Sequence, residues 1–321
     1  MKKLGFVLGL LPAAAMICGA GAVSAQPYPV KPIRLAVTGV GSGGDFAGRV
    51  IAQGVSPSIG QQIIVDNRGG SNLPALFVYR APPDGYTLCL QAAPLWITPF
   101  LRKAPYDPIR DFAPVTLAIT SPNILVVHPS LPVKSVKELI AFIKARPGQL
   151  NYATSGIGGS GFLSAELFKY LAKLDMLRVN YKGGGLALTE LITGQVQMMF
   201  ANAGAVAPHM RSGRLRALAV TSLKRSVLLP ELPPVAEVGL PGYELISVQG
   251  IFAPAGTPRP IIDRLNREIV SFLQKPETKQ TFLKVGVETV GSTPEELGAR
   301  VRSEMNTLGK VIKAAGIKVE P

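Results

Sequence analysis

Cysteine is nearly absent from this chain. Its 321 residues hold two, Cys18 and Cys89; Cys18 falls in a leader expected to be removed, so no internal disulfide is available. Cys89 sits in the apolar run 86–93 and reads as a small buried hydrophobe, not a nucleophile. Histidine is equally sparse. His128, in Val126-Val127-His128-Pro129, and His209, in Pro208-His209-Met210, have neither the spacing of a metal site nor that of a triad. Ser160 is flanked by glycines, but Phe162 stands where a G-x-S-x-G nucleophile elbow needs its last glycine. These scarcities argue against hydrolytic or metal-assisted chemistry, and the expectation is of a protein that is no enzyme and uses no metal or cofactor.

Acidic residues are outnumbered. Lys and Arg total 34 against 20 Asp and Glu, for a formal net charge of +14, which favours anionic ligands. The basic side chains are scattered (Lys134, Lys137, Lys144, Arg146, Arg211, Arg214, Lys224) with no dense tract and little aromatic interleaving. Nucleic-acid binding normally gathers its charge on one face, so no nucleic-acid partner is expected. Long apolar runs are lacking beyond the first residues, which excludes a membrane span in the mature chain. At the start, Lys2 and Lys3 precede the apolar stretch 5–23, and Val23-Ser24-Ala25 before Gln26 fits signal-peptidase cleavage. Residues 1–25 are therefore read as a signal peptide and the mature product as periplasmic.

What is present is an alternation of strand and helix signals. Ile33–Val37 and 62–66 read as short buried strands around an apolar-periodic helix at 47–55, a β-α-β unit with a parallel pair. Pro82-Pro83-Asp84-Gly85 is a turn before a strand at 86–90. Residues 123–127 form another strand, and Ser135 caps a helix through Lys144. Strands at 177–181, 197–200 and 215–221 alternate with helices at 186–193 and Ala203–Arg211. After the Pro-rich stretch 230–241 come a strand at 247–253 and helices at 260–273, 277–284 and 294–315. This pattern predicts an α/β protein with mostly parallel sheets.

Two glycine-dense turns follow strands and open helices. Gly39-Val40-Gly41-Ser42-Gly43-Gly44 matches G-x-G-x-x-G, and Asp66 ends the next strand where a dinucleotide fold places its ribose carboxylate. Gly156-Ile157-Gly158-Gly159-Ser160-Gly161 matches the same pattern, with Asp175 ahead of its following strand. Repetition lowers the motif's specificity. The shared physics is broader: glycines let backbone N–H groups approach a ligand, and a helix N-terminus favours negative charge. Ser42, Thr154, Ser155 and Ser160 add hydroxyls, and Asp45 either caps the first helix or accepts a hydrogen bond from a ligand. Two similar lobes with an anion between them fit these features.

Several segments, in order through nearly all of the mature chain, resemble a known family: Tyr28-Pro29-Val30-Lys31-Pro32-Ile33-Arg34, Asp66-Asn67-Arg68, Pro83-Asp84-Gly85-Tyr86-Thr87, Tyr181-Lys182-Gly183, Gly194-Gln195-Val196, Leu240-Pro241-Gly242-Tyr243 and Phe252-Ala253-Pro254-Ala255-Gly256-Thr257-Pro258. They look like the extracytoplasmic solute receptors of tripartite tricarboxylate transporters, the Bug family. The resemblance implies a two-lobed type II periplasmic-binding-protein fold with a hinge and an interlobe cleft, lobe 1 being 26–124 with 250–321 and lobe 2 being 125–249. It also implies a small organic anion as ligand, delivery to a membrane permease, and a monomer. Mapped by motif, the ligand-binding residues are Gly41, Ser42, Gly43, Gly44 and Asp45, then Ala92 and Ala93, in the first lobe. In the second they are Thr154, Ser155, Gly156, Gly158, Ser160, Gly161, Tyr181, Lys182, Gly183 and Asn202. Departures from the family pattern at Thr38-Gly39-Val40, Phe162 and Ala201, with Trp96 expected nearby, suggest a more apolar cleft for an aromatic or longer-chain monocarboxylate. Two alternatives remain open: an NAD(P)-dependent oxidoreductase using the Gly39–Gly44 loop, and a ligand-sensing partner of a membrane kinase.

Overall fold

Residues 28–70, 72–227 and 229–317 are described by the computed structural model; the leader at 1–25, with Lys2, Lys3 and Cys18, and Ser71 lie outside the described residues. The chain opens with β1 (Ile33–Val37), α1 (Gly43–Ile59), β2 (Ile63–Asn67), α2 (Leu73–Tyr79), β3 (Thr87–Gln91) and α3 (Pro94–Leu101). A 16-residue strand, β4 (Phe112–Val127), leads into α4 (Val136–Lys144), β5 (Asn151–Thr154), α5 (Ser160–Ala172), β6 (Leu177–Asn180) and α6 (Gly184–Ile192). Then come β7 (Met198–Asn202), α7 (Ala203–Arg211), β8 (Arg216–Val220) and the single turn α8 (Val235–Val238). The chain closes with β9 (Ile246–Pro254), α9 (Arg259–Leu273), α10 (Pro276–Leu283), β10 (Glu288–Thr289) and α11 (Pro294–Ala314).

These strands form one sheet in two wings. In the first, β1 pairs in parallel with β2 and β3, and β9 runs antiparallel to both β3 and β4. Pairing of β4 with β9 ends at Pro122, opposite Ile246; from Asn123 onward β4 pairs antiparallel with β7 and β8. In the second wing β5 lies parallel to β6 and β7. Thus β5, β6, β7 and β8 share one direction against β4 alone, and β1 to β4 share one direction against β9. The α/β architecture expected from the sequence holds, but the sheet is mixed where mostly parallel sheets were expected: β1 with β2 and β3, and β5 with β6 and β7, pair in parallel, while the pairs through β4 and β9 are antiparallel. It crosses a second time just before β9, since Leu245 N–H still donates to Thr221 O of the second wing.

Local chemistry sets the helix ends that matter for the site. Ser42 caps α1 by accepting from Asp45 N–H, and Gly48 lets that helix lie against β1, where a Cβ would come within 2.6 Å of Val37 Cγ1. Ser135 caps α4 as predicted, and Thr293 with Glu296 forms a capping box on α11. Apolar residues at helical spacing on α1 and α9 bury against one face of the first wing, with Ile51, Val55, Leu265 and Ile269 meeting Leu35, Val37 and Leu88. On the opposite face α11 packs against β4, α3 and α5, so the last helix touches both wings. Cys89 is fully buried, as expected of a packing residue.

Candidate ligand-binding cavity

Parallel strands β5, β6 and β7 deliver the N-termini of α5, α6 and α7 to one end of the second wing. Close approach there depends on glycine: a Cβ at Gly161 would lie 2.5 Å from Phe200 O of β7. The turn before α5 is shaped by Gly156 at φ +141° and Gly158 at φ +87°, conformations that L side chains rarely adopt. Thr154 is buried and donates its hydroxyl to Gly156 O, which holds the turn. Tyr181 N–H donates to Thr154 O, bringing the β6–α6 turn alongside.

Between these helix ends lies a cavity of about 240 Å³. Ser155, Ser160, Gly161, Gly184, Gly185, Asn123 and Asn202 form its polar part, and Leu188, Met199, Ala201 and Ala205 contribute apolar groups. Among the described residues, no Lys, Arg, Asp or Glu is in the lining. Helices α5 and α6 begin at Gly159 and Gly183 with no side-chain cap, whereas α7 is capped by Asn202, whose Oδ1 accepts from Gly204 N–H at 2.9 Å. Two helix ends with unclaimed first-turn N–H groups therefore meet at an uncharged cavity, which is chemistry suited to an anion.

Four of the expected site residues, Ser155, Ser160, Gly161 and Asn202, line this one cavity. Thr154, Gly156, Gly158 and Gly183 shape its loops, while Tyr181 is half-buried with its phenol pKa raised by burial. Lys182 is exposed and outside the lining. Gly41, Ser42, Gly43, Gly44 and Asp45 sit in the first wing, as do Ala92 and Ala93, which precede α3. There Asp45 is committed to its own loop. Its Oδ2 accepts from Gly41 N–H at 2.9 Å, and its Oδ1 accepts from Asn67 Nδ2 and Arg49 Nε, both at 2.8 Å. Asn67's amide hydrogen bond, then Gly41's N–H, hold the carboxyl below its usual range. The expected capping role belongs to Ser42 instead, and the Asp45 carboxylate braces the loop.

The expected aromatic lining is corrected. Trp96 is fully buried beneath α11, and Phe162 is buried with Arg178 5.3 Å from its ring centre, so neither lines the cavity. Only Ala201 of that group does. Each was expected there because its neighbours in sequence are site residues, but an α5 side chain two positions past Ser160 points into the core. The sequence reasoning missed Asn123, Gly184, Gly185 and Met199. A signal existed for the glycines, since Gly183 opens a run of three; Asn123 lies on a strand far in sequence from the loops and gave none.

The dinucleotide alternative loses its carboxylate. Asp66 accepts from Arg68 through both oxygens, at 3.0 and 2.6 Å, and that guanidinium stacks 4.0 Å from the Phe77 ring centre. His128 Nδ1 bonds Ser130 Oγ in a turn after β4, and His209 lies in the last turn of α7. Among the described residues no three His, Cys, Asp or Glu side chains cluster as metal ligands.

Residues 47–317 match the family model described as tripartite tricarboxylate transporter family receptor. Protein BugT of Bordetella pertussis is 34% identical over 326 aligned residues, covering 100% of this chain and 99% of its own length. Among solved structures, R. palustris Rpa4515 with adipate is 37% identical with a TM-score of 0.77, covering 91% of this chain and 100% of its own. MatC from Rhodopseudomonas palustris with bound malate is 29% identical with a TM-score of 0.73, covering 89% and 100%.

Proposed function

The chain belongs to the tripartite tricarboxylate transporter receptor family, and from that premise we propose that it captures a small carboxylate between two lobes and hands it to a membrane permease. As a receptor of this family it binds solute and does no chemistry on it. The lobes are 26–124 with 250–321, and 125–249, joined by the two crossings around Pro122 and Leu245. Residues 1–25 export the chain to the periplasm, where it acts as a monomer. No metal or cofactor takes part.

One observation carries the reading: the uncapped N-termini of α5 and α6 open on a cavity that has no charged side chain in its lining among the described residues. A carboxylate placed there accepts from backbone N–H groups and from Ser155 or Ser160, and its carbon chain lies along Leu188, Met199 and Ala205. In the first lobe the Gly41–Gly44 turn and Ala92-Ala93 face the same ligand on closure. Adipate and malate, found with relatives, are the first acids to try. Thermal denaturation of the mature protein with adipate, malate, citrate and NAD tests it. A ligand at 100 times its Kd stabilises by about 2.7 kcal/mol, worth several degrees in a chain of this size. A shift with an acid and none with NAD is expected; a shift with NAD alone overturns the reading.

A further inference from the structure

Ser121, Pro122 and Asn123 are the point where β4 leaves the pairing of one wing for that of the other. Proline offers no N–H to a ladder, so β4 lacks a backbone donor at the residue where its pairing passes from β9 to β7. Both polar neighbours of Pro122 hold a side chain of the cavity. Asn202 Nδ2 donates to Ser121 Oγ at 2.7 Å, and Ser160 Oγ approaches Asn123 Oδ1 at 3.5 Å. Each is anchored in turn. Ser121 Oγ donates to Gly286 O of the first wing at 2.9 Å. Asn123 Nδ2 donates to Ser164 Oγ at 3.2 Å, and its backbone N–H donates to Thr221 Oγ1 at 2.9 Å. With 7% and 3% of their surfaces exposed, the two residues are buried polar groups whose partners matter.

The long Ser160 contact is the weaker of the two, so Ser160 has its hydroxyl available to a ligand with little to lose. Asn202 has one acceptor spent on its cap and one donor spent on Ser121. A carboxylate in the cavity that accepts from the second N–H of the Asn202 amide, or from Ser160 beside Asn123, is held by groups that Ser121 and Asn123 position, and so is tied to the strand that joins the wings. We propose that Ser121 and Asn123 are positioning residues that couple an occupied cavity to the crossover strand, so that ligand in the second wing biases closure onto the first. This rests on the receptor reading above. A purely structural role would make both residues matter to folding alone, and a purely ligand-contacting role would make Asn123 matter to affinity alone.

The test uses the mature protein and whichever of adipate, malate and citrate binds the unaltered chain most tightly. Affinity is read by calorimetry, and closure by the fall in radius of gyration at saturating acid in small-angle scattering. Asn123→Ala and Ser121→Ala are expected to weaken binding about tenfold each, the scale of a lost buried hydrogen bond, and to reduce the contraction seen at saturation. Ser121→Thr, which keeps the hydroxyl, is expected to contract like the unaltered chain. If Asn123→Ala is too unstable to fold, the contrast of Ser121→Ala with Ser121→Thr decides. Full contraction in the folded alanine variants overturns the coupling while leaving the receptor reading intact. An unaltered chain that binds none of the three acids overturns both.

Discussion

Trp96 donates its indole Nε1–H to Glu304 Oε2 at 2.9 Å, joining α3 to α11 through a buried carboxylate. Arg300 Nε donates to the other oxygen of Glu304 at 2.8 Å, and Arg300 Nη1 lies 3.4 Å from both oxygens of Glu244, just ahead of the second crossing. A single helix thus holds α3 on one side and the crossing segment on the other through one chain of charges.

Burial raises the Glu304 carboxyl above its ordinary value of 4.5, against the pull of Arg300. A carboxyl whose folded pKa is raised stabilises the fold below the unfolded value, and that contribution is lost as pH rises through the folded value. Glu304→Gln cannot ionise, so relative to the unaltered chain it should gain stability as pH climbs above 4.5. Urea unfolding across that range is the check, and an advantage that grows on acidification would contradict the assignment. Glu304→Ala should be much worse than Gln at every pH, because it leaves Trp96 Nε1 without its acceptor and opens a void.

Asp45 has the opposite sign. Asn67 and Gly41 hold its pKa below 3.8, so it stabilises the fold above 3.8, and the contribution fades as pH falls through the lower folded value. Asp45→Asn keeps the shape but loses the charge and one acceptor oxygen, giving up either the Gly41 N–H or the pair of Arg49 and Asn67. Its melting temperature should fall below that of the unaltered chain at neutral pH and converge with it under acid. A penalty independent of pH would mean that loop shape, not charge, is what Asp45 supplies.

Glycine separates packing from binding at the cavity. Gly161→Ala drives a methyl to 2.5 Å from Phe200 O, a backbone atom that cannot swing aside. The expected loss is about 1–3 kcal/mol, as for other overpacked sites, together with weaker acid binding as α5 is displaced. Gly185→Ala meets nothing within 4 Å and sits in the first turn of α6, where alanine is the better helix former. It should fold at least as stably as the unaltered chain. Equal stability of the two variants, measured by denaturant unfolding, would contradict the close α5–β7 approach.

Sequence pattern revealed most elements where chemistry was local. Ser135 and Lys144 bounded α4, and Ala203–Arg211 was read to the residue, because a cap and a helical period coincide there. Only the last five residues of β4 were visible: Pro114 and Pro122 disguised the rest, and the strand tolerates them because one lies at a register shift and the other at the crossing. Helices α2 and α3 escaped for a different reason. They are 7 and 8 residues long, and α3 is so apolar that Leu95, Trp96, Ile97 and Leu101 are all buried and no polar face marks a period. The cavity was half legible. Glycine turns announced Ser160 and Gly161, but Asn123 enters from a strand whose neighbours are set only by tertiary pairing, and Trp96 was misplaced because its distance from Ala92-Ala93 in sequence says nothing about which way α3 turns it.

Asn202 allows the anion itself to be located. Its Oδ1 caps α7 through Gly204 N–H, while the same side chain forms part of the cavity wall. Asn202→Asp keeps the capping acceptor and places negative charge at a helix N-terminus, where it is favourable by roughly 0.3–1 kcal/mol. Stability should change by no more than about 1 kcal/mol, because the gain at the helix end is offset by loss of the Nδ2–H donation to Ser121 Oγ. The same charge faces any carboxylate in the cavity, and two like charges about 4 Å apart repel by roughly 1–4 kcal/mol between water and a protein surface. Acid binding should fall by about tenfold or more. Asn202→Ala differs: the lost cap costs about 1 kcal/mol of stability, and binding should weaken less than in the Asp variant, because the amide is lost but no charge opposes the ligand. Calorimetry and thermal melts on the pair distinguish the two effects. An Asp variant that binds acid as well as the unaltered chain would mean that the anion lies elsewhere than between α5, α6 and α7.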